Sequence, residues 1–318
     1  AGPPGMSEAA RLRLTAAEVR ALDRELDAAA LDHPASRLPP GQASANGAAV
    51  AGVDGYLFIG DGGNRWETQY TGPEPPVSWT TTWAEVLAAR QAEAEARGVL
   101  LWNLVIPEKQ VVYPEKRWPQ GAPDGGRRPL RRLAALAGPG ARLLYGEAAL
   151  LACKAEAPAS LRHDSHWTAS GCLAVVRQLL AAAAPEVDLE RAVFTIQRAR
   201  EPLDLAAHFL DPNPPQDRLR LAAPHPRAWD NRHYEQTGQH TGSRYRLANP
   251  GAPDPRRVAL FGDSYSYAEG LAGALSALFG EVTCVWSKSV LWDVVDERRA
   301  ELVFWESAER FLVSLPQS

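Results

Sequence analysis

The sequence predicts an α/β protein, with a mostly parallel central sheet and helices on both faces. Three observations predict it. The runs "VLLWNLVIP" (99–107), "RRVALFG" (256–262) and "AELVFWE" (300–306) are short and almost continuously apolar, as strands covered on both faces are. Segments of helical period lie among them. Strands that alternate with helices argue for a parallel sheet in an α/β layer architecture. No internal repeat or heptad pattern competes with this reading.

The elements follow in order. Residues 1–5, "AGPPG", read as a cloning remnant ahead of a natural start at Met6. Residues 6–50 form an N-terminal helix and loop. Over 14–31, Leu14, Val19, Leu22, Leu26 and Ala29 share one helical face after a Thr15 cap. Residues 34–52 read as loop. "VDGYLFIGDGGN" (53–64) reads as a hairpin or a strand entering a glycine turn. "SWTTTWAEVLAARQAEAEARG" (78–98) is a helix, capped by Ser78 or a nearby Thr and ended by Gly98. "RLLYG" (142–146) is a strand and "EAALLACKAE" (147–156) a helix. "HWTASGCLAVVRQLLAAAA" (166–184) begins with a polar cap and continues as an apolar-faced helix. Residues 185–255, rich in Pro, Arg and Asp, read as a loop-rich insertion with little regular structure. "SYAEGLAGALSALFG" (266–280) is one helix, "VTCVW" (282–286) a strand and "SAERFLVSL" (307–315) a last helix. Residues 51–318 would form one catalytic domain.

Composition excludes several function classes. The 318 residues are 45% hydrophobic, which is globular, and the net charge is −4. There is no basic stripe for nucleic acid and no Lys/Arg block for a membrane surface. Arg127, Arg128, Arg131 and Arg132 read as a solvated face. There is neither an apolar signal core nor an 18-residue apolar run, so the expected location is cytoplasmic. Cys153, Cys172 and Cys284 lack CxxC spacing and suit reduced, buried thiols. Abundant Ala, Arg and Pro with scarce Lys suggest a high-GC bacterial gene.

Two stretches carry chemistry. In "LFGDSYS" (260–266), Gly262 permits a tight strand-to-helix turn, and Ser264 sits where unpaired helix N–H groups gather. Those groups would stabilise an oxyanion on a carbonyl attacked by the serine. Asp263 and Ser264 could equally be a helix cap. A serine nucleophile needs a base, and the base an orienting carboxylate. "RHDSHWTASG" (162–171) offers Asp164 and His166, two residues apart in a loop before a helix. Alone it could also be a metal site or a cap, but His163 and His166 are too few ligands, and no metal is expected. His33, His208, His225, His233 and His240 read as loop residues, with His233 and His240 nearest to a substrate role.

Together, "DSHWTASG" followed by "LFGDSYS" resembles the SGNH-hydrolase-like domain of the alginate O-acetyltransferase family (the AlgX and AlgJ type), in which Asp-x-His-Trp precedes Gly-Asp-Ser. "VDGYLFIGD", "LVIPEKQVVYPE", "LLACKAEAPASLRHDSHWT", "EPLDLAAHF" and "LVFWESAERFL" resemble further family segments in the same order. The likeness runs over about residues 50–315, with Tyr56 where the family usually has Trp. It implies a three-layer SGNH-hydrolase-like fold. It implies Ser264 as nucleophile, His166 as base and then acid, and Asp164 as orienting carboxylate. The N–H of Ser264 or Tyr265 would serve the oxyanion hole, and Asp263 would stabilise the turn. Trp167 would fix His166 or stack on a sugar. Lys109, Tyr113 and Lys288 would line the substrate cleft or be structural. The implied activity is acyl transfer or ester hydrolysis through an acyl-serine, on a hydroxylated or glycosylated small molecule of secondary metabolism. The acyl would come from an ester or thioester donor, without a cofactor. The alternative is a catalytically silent sugar-binding or scaffold protein on the same fold.

Overall fold

The computed structural model describes residues 11–71, 77–121, 129–231 and 240–314. The expectations for residues 1–10, Arg127, Arg128 and His233 lie outside them. Twelve strands occur among the described residues. They are β1 (Arg11–Leu14), β2 (Ala49–Ala51), β3 (Leu57–Ile59), β4 (Leu100–Ile106), β5 (Leu143–Tyr145), β6 (Phe194–Glu201), β7 (Gln216–Ala222), β8 (Ala228–Asn231), β9 (Arg244–Ala248), β10 (Asp254–Gly262), β11 (Phe279–Trp286) and β12 (Leu302–Ala308).

The central sheet has seven strands in the order β5-β4-β12-β10-β11-β9-β8. The first five are parallel, and β9 and β8 extend the sheet antiparallel. Strand side chains point alternately to opposite faces, and here both faces are apolar. Val258, Leu260, Leu302, Phe304, Leu104 and Ile106 pack into one core, against helices Ala16–Ala29, Ala169–Ala183 and Leu271–Leu278. Ala259, Phe261, Val303, Trp305, Leu101 and Val105 pack into the other, against helices Val77–Arg97, Pro129–Ala137 and Trp292–Arg298. The result is the three-layer α/β arrangement expected from the apolar runs.

The N-terminal helix is built into the first core. Thr15 and Glu18 form a reciprocal capping box at its start. From its middle, buried Asp23 accepts the N–H and hydroxyl of Ser170 at 2.7 and 2.6 Å. Cys153, Cys172 and Cys284 are buried free thiols. Among the described residues, no helix is long and apolar enough to cross a membrane.

Four sequence expectations need correction. Residues 185–255 are not a loop-rich insertion: they supply β6 to β9. β6 and β7 pair with β1 in a separate three-stranded sheet, while β8 and β9 close the edge of the central one. The segment 266–280 is not one helix. Gly270, at φ 100°, separates the turn of helix Ser264–Tyr267 from helix Leu271–Leu278, and the chain is already strand by Phe279. Such a φ suits glycine and few other residues. Residues 307–315 do not form an α-helix, because β12 stays paired with β4 through Ala308 and only a 3₁₀ turn, Glu309–Val313, follows. Ser78 lies inside helix Val77–Arg97 rather than capping it.

Candidate active site

Strand β10 delivers Ser264 to the C-terminal edge of the parallel sheet, where open α/β sheets bind ligands. The turn is fixed from below. Asp263 is the N-cap of the helix that follows: its Oδ1 accepts the Tyr265 N–H at 3.0 Å and its Oδ2 accepts the Ala308 N–H at 2.8 Å. The Asp263 N–H donates to Glu306 Oε2 at 3.3 Å, and the Ser266 hydroxyl donates to the same oxygen at 2.7 Å. Burial, then the neighbouring Asp263 charge, pushes the Glu306 carboxyl well above the usual range, which favours its neutral form. A Cβ on Gly262 would lie 2.3 Å from Ser266 Oγ and 2.5 Å from Glu306 Oε2. Gly262→Ala is therefore expected to cost about 1–3 kcal/mol of stability by overpacking and to displace Ser264. Thermal melts and serine-labelling rates on the variant check both effects.

The loop carrying Asp164 and His166 is folded back on itself. Ser160 and Trp167 form an isolated antiparallel bridge, and Leu161 N–H donates to His166 O at 3.0 Å. Thr168 then caps helix Ala169–Ala183 by accepting the Gly171 N–H at 3.0 Å. Lys109 pins the loop: its ammonium donates to the carbonyls of Leu161, Arg162 and Asp164 at 2.8, 3.2 and 2.7 Å. Burial pulls the Lys109 pKa down to about 7, against the pull of Asp164 and Asp204. Three carbonyls match the three N–H groups of the charged form.

Across the sheet edge the two stretches meet. His166 Nε2 lies 2.8 Å from Ser264 Oγ, and His166 Nδ1 lies 2.7 Å from Asp164 Oδ1. Asp164 Oδ1 also accepts the His166 backbone N–H at 3.0 Å. Burial opposes the charge on Asp164, but the hydrogen bond and charge of His166, with Arg218, hold its carboxyl well below the usual range. Burial likewise opposes a proton on His166, yet Asp164 outweighs it and the imidazole pKa is raised. Ser264 is partly exposed, so an acyl group can reach it.

The remaining candidates divide. Ser264 is the first residue of its helix, so its N–H has no intrahelical acceptor and is free to face an oxyanion. The Tyr265 N–H is not, because Asp263 already holds it. Trp167 does not line a cleft: it is 2% exposed, its Nε1–H donates to Glu269 O at 2.7 Å, and it stands edge-on to Tyr265. Lys109 and Tyr113 are also buried rather than cleft-lining; the Tyr113 hydroxyl accepts the Ala159 N–H at 2.8 Å. Lys288 is exposed, and its ammonium lies over the Phe311 ring at 5.5 Å. Tyr56, at the family's Trp position, is buried under the Arg162 guanidinium at 4.4 Å.

Both ring nitrogens of His163 are engaged, by Gln216 Oε1 at 2.7 Å and Ser36 Oγ at 2.9 Å, so it does not join His166 as a ligand. His240 stands edge-on to Trp286, whose ring lies 5.4 Å from Tyr267 beside the serine turn. Asp164, His166 and Asp204 are grouped closely enough to hold a cation, but Asp164 and His166 spend their facing atoms on each other.

Sequence reasoning missed three groups around the site. Asp204 lies 3.8 Å from His166 Nδ1. Arg218, 3% exposed, lies 3.8 Å from Asp164 and is paired with Glu269. Arg310 and Glu108 form a buried two-oxygen ion pair at 3.0 and 3.1 Å. Asp204, Glu108 and Arg310 left a trace, inside the quoted segments "EPLDLAAHF", "LVIPEKQVVYPE" and "LVFWESAERFL", whereas Arg218 left none.

A serine at the end of a parallel strand, facing a histidine–aspartate loop, places the chain in the SGNH-hydrolase-like class. More narrowly, the family model for the SGNH hydrolase-like domain of acetyltransferase AlgX matches residues 49–289, and the chain belongs to that family. Its general chemistry is acyl transfer. Among solved structures, the O-acetyltransferase domain of Pseudomonas putida AlgJ is similar, with TM-score 0.53 and 19% identity over 85% of this chain and 93% of that one. A DHHW family protein from Eubacterium siraeum has TM-score 0.58 and 14% identity, over 87% and 96%. Bacillus cereus PatB1, solved with a sulfonyl adduct, has TM-score 0.57 and 10% identity, over 81% and 93%. These likenesses show a shared fold. No curated protein matches the sequence.

Proposed function

We propose that the chain is a serine-dependent O-acyltransferase or esterase, acting through an acyl-Ser264 intermediate on a hydroxylated or glycosylated small molecule. The observation that carries this reading is the continuous line from Ser264 Oγ through His166 to Asp164, with steps of 2.8 and 2.7 Å. His166 takes the Ser264 proton as the serine oxygen attacks the carbonyl of an ester or thioester donor. The Ser264 N–H faces the oxyanion. His166 then gives the proton to the departing alcohol or thiol. In the second half, the acceptor hydroxyl loses its proton to His166 and takes the acyl group, and water in the same place gives hydrolysis. Asp164 keeps Nδ1 protonated and stabilises the imidazolium.

A fluorophosphonate tests the reading directly. The expected adduct maps to Ser264, whereas an adduct elsewhere, or none, sinks the nucleophile assignment. The pH dependence follows from His166, which must be neutral to accept the proton. Its raised pKa keeps it protonated to higher pH. The labelling rate is therefore expected to fall on acidification with a midpoint above the ordinary 6.5. A flat profile from pH 5 to 9 would contradict the assignment of His166 as base.

A further inference from the structure

Asp204 comes from the connection between β6 and β7, far in sequence from the loop it serves. Its carboxylate takes both donors of Ser165: the backbone N–H at 2.7 Å on Oδ1 and the hydroxyl at 2.5 Å on Oδ2. Ser165 is the residue between Asp164 and His166, and its hydroxyl lies 3.3 Å from His166 Nδ1. Asp204 Oδ2 is 3.8 Å from that same nitrogen. The Asp204 N–H, in turn, donates to Asp164 Oδ2 at 3.2 Å. One residue therefore grips the loop at its centre, ties off the free oxygen of the first carboxylate and brings a second charge to the imidazole.

The surrounding charges decide whether that second charge is felt. Asp164 faces His166 on its own loop, but Arg218 of β7 lies 3.8 Å from it. Glu269, beyond the serine helix, also acts on His166 and is paired with the same Arg218. Lys109 is spent on the loop carbonyls, and Tyr265 contributes a ring 4.9 Å from the imidazole. Among the described residues, no Arg or Lys lies within ion-pair distance of Asp204; the nearby Lys109 ammonium, which feels both Asp164 and Asp204, is held on the loop carbonyls. Its side chain is 43% exposed, against 5% for Asp164; burial, and then the Asp164 charge, raise its carboxyl pKa.

We propose that Asp204 is a second positioning carboxylate for His166, acting through Ser165, so that the imidazolium formed during acylation sits between two acids. The proposal rests on the reading of His166 as the base, but its first test does not need turnover. Histidine-labelled protein is titrated by NMR, with the His166 signal assigned by its loss in His166→Gln. Asp204→Asn is expected to lower the His166 pKa by about one unit, as loss of a nearby charge should, and Asp204→Glu to restore it. The acid limb of fluorophosphonate labelling should move by the same amount. A purely structural Asp204 would lower the melting temperature and leave the pKa in place.

Asp164→Asn alone should retain labelling that the Asp164→Asn/Asp204→Asn pair loses by a further tenfold or so. If Asp204→Asn does not fold, Asp204→Ser, which keeps an acceptor for the Ser165 N–H, carries the same titration. A His166 pKa unchanged in the folded variant overturns the proposal. Failure of wild-type Ser264 to label at all would overturn the acyl-serine reading instead, and the titration would still decide the role of Asp204.

Discussion

Ser264→Ala is expected to lose turnover of an activated acetyl ester by roughly a thousandfold or more, with its melting temperature kept. His166→Ala should match it, because the serine at 2.8 Å has no other base in contact among the described residues. The double variant should then be little worse than either single one, since each already breaks the covalent route. Asp164→Asn should be milder. It leaves the imidazole in place and removes the charge that keeps Nδ1 protonated, while Asp204 remains at 3.8 Å. Steady-state rates on the four proteins, each with a thermal melt, give the comparison. Near-normal turnover by a folded Ser264→Ala would exclude the serine as the nucleophile.

The largest effect on stability is expected at Lys109. Lys109→Met keeps the length of the side chain and removes all three N–H donors. The carbonyls of Leu161, Arg162 and Asp164 would lose their common partner in a place where Lys109 itself is 3% exposed. Arg162 O keeps the Leu57 N–H at 2.9 Å, so the carbonyls of Leu161 and Asp164 are the two left without donors, at about 1–3 kcal/mol each. Partial relaxation of the loop brings the expected loss to roughly 2–4 kcal/mol, a fall in melting temperature on the order of 3–8 °C. The same loop holds Asp164 and His166, so labelling of Ser264 should slow even below the melting range. A variant with unchanged stability would show that the carbonyls find water instead.

The parts of this site that the sequence made legible were local ones. Strands β4, β10 and β12 announced themselves because both faces are apolar, and a doubly covered strand has no polar positions to blur it. Asp164, His166 and Ser264 were legible because their types and their neighbours limit what they can do. β7 was not. Its burial over Gln216–Ala222 does not follow one face: the neighbours Arg218 and Leu219 are both buried, and the charge of Arg218 is balanced in the interior by Asp164 and Glu269. A buried arginine reads as an exposed one until its partners are known. Lys109 misled in the opposite way. A lysine just past a strand end suggests a cleft, and nothing local shows that its donors face carbonyls 52 to 55 residues later. Trp167 was similar, since its indole N–H is satisfied by Glu269 O from the far side of the serine turn. Asp204 could be quoted within a segment but not given a role, because that role exists only where the β6–β7 connection crosses the Asp164 loop.

In the proposed reaction Ser264 carries the acyl group between donor and acceptor. Rapid quenching of the protein with p-nitrophenyl acetate, followed by intact-mass and peptide analysis, tests it most directly. The expected result is a burst of one p-nitrophenol per chain and a transient gain of one acetyl group on the peptide holding Ser264, absent in Ser264→Ala and slowed in His166→Ala. Acetylation confined to lysines, or a burst that survives Ser264→Ala, would contradict it.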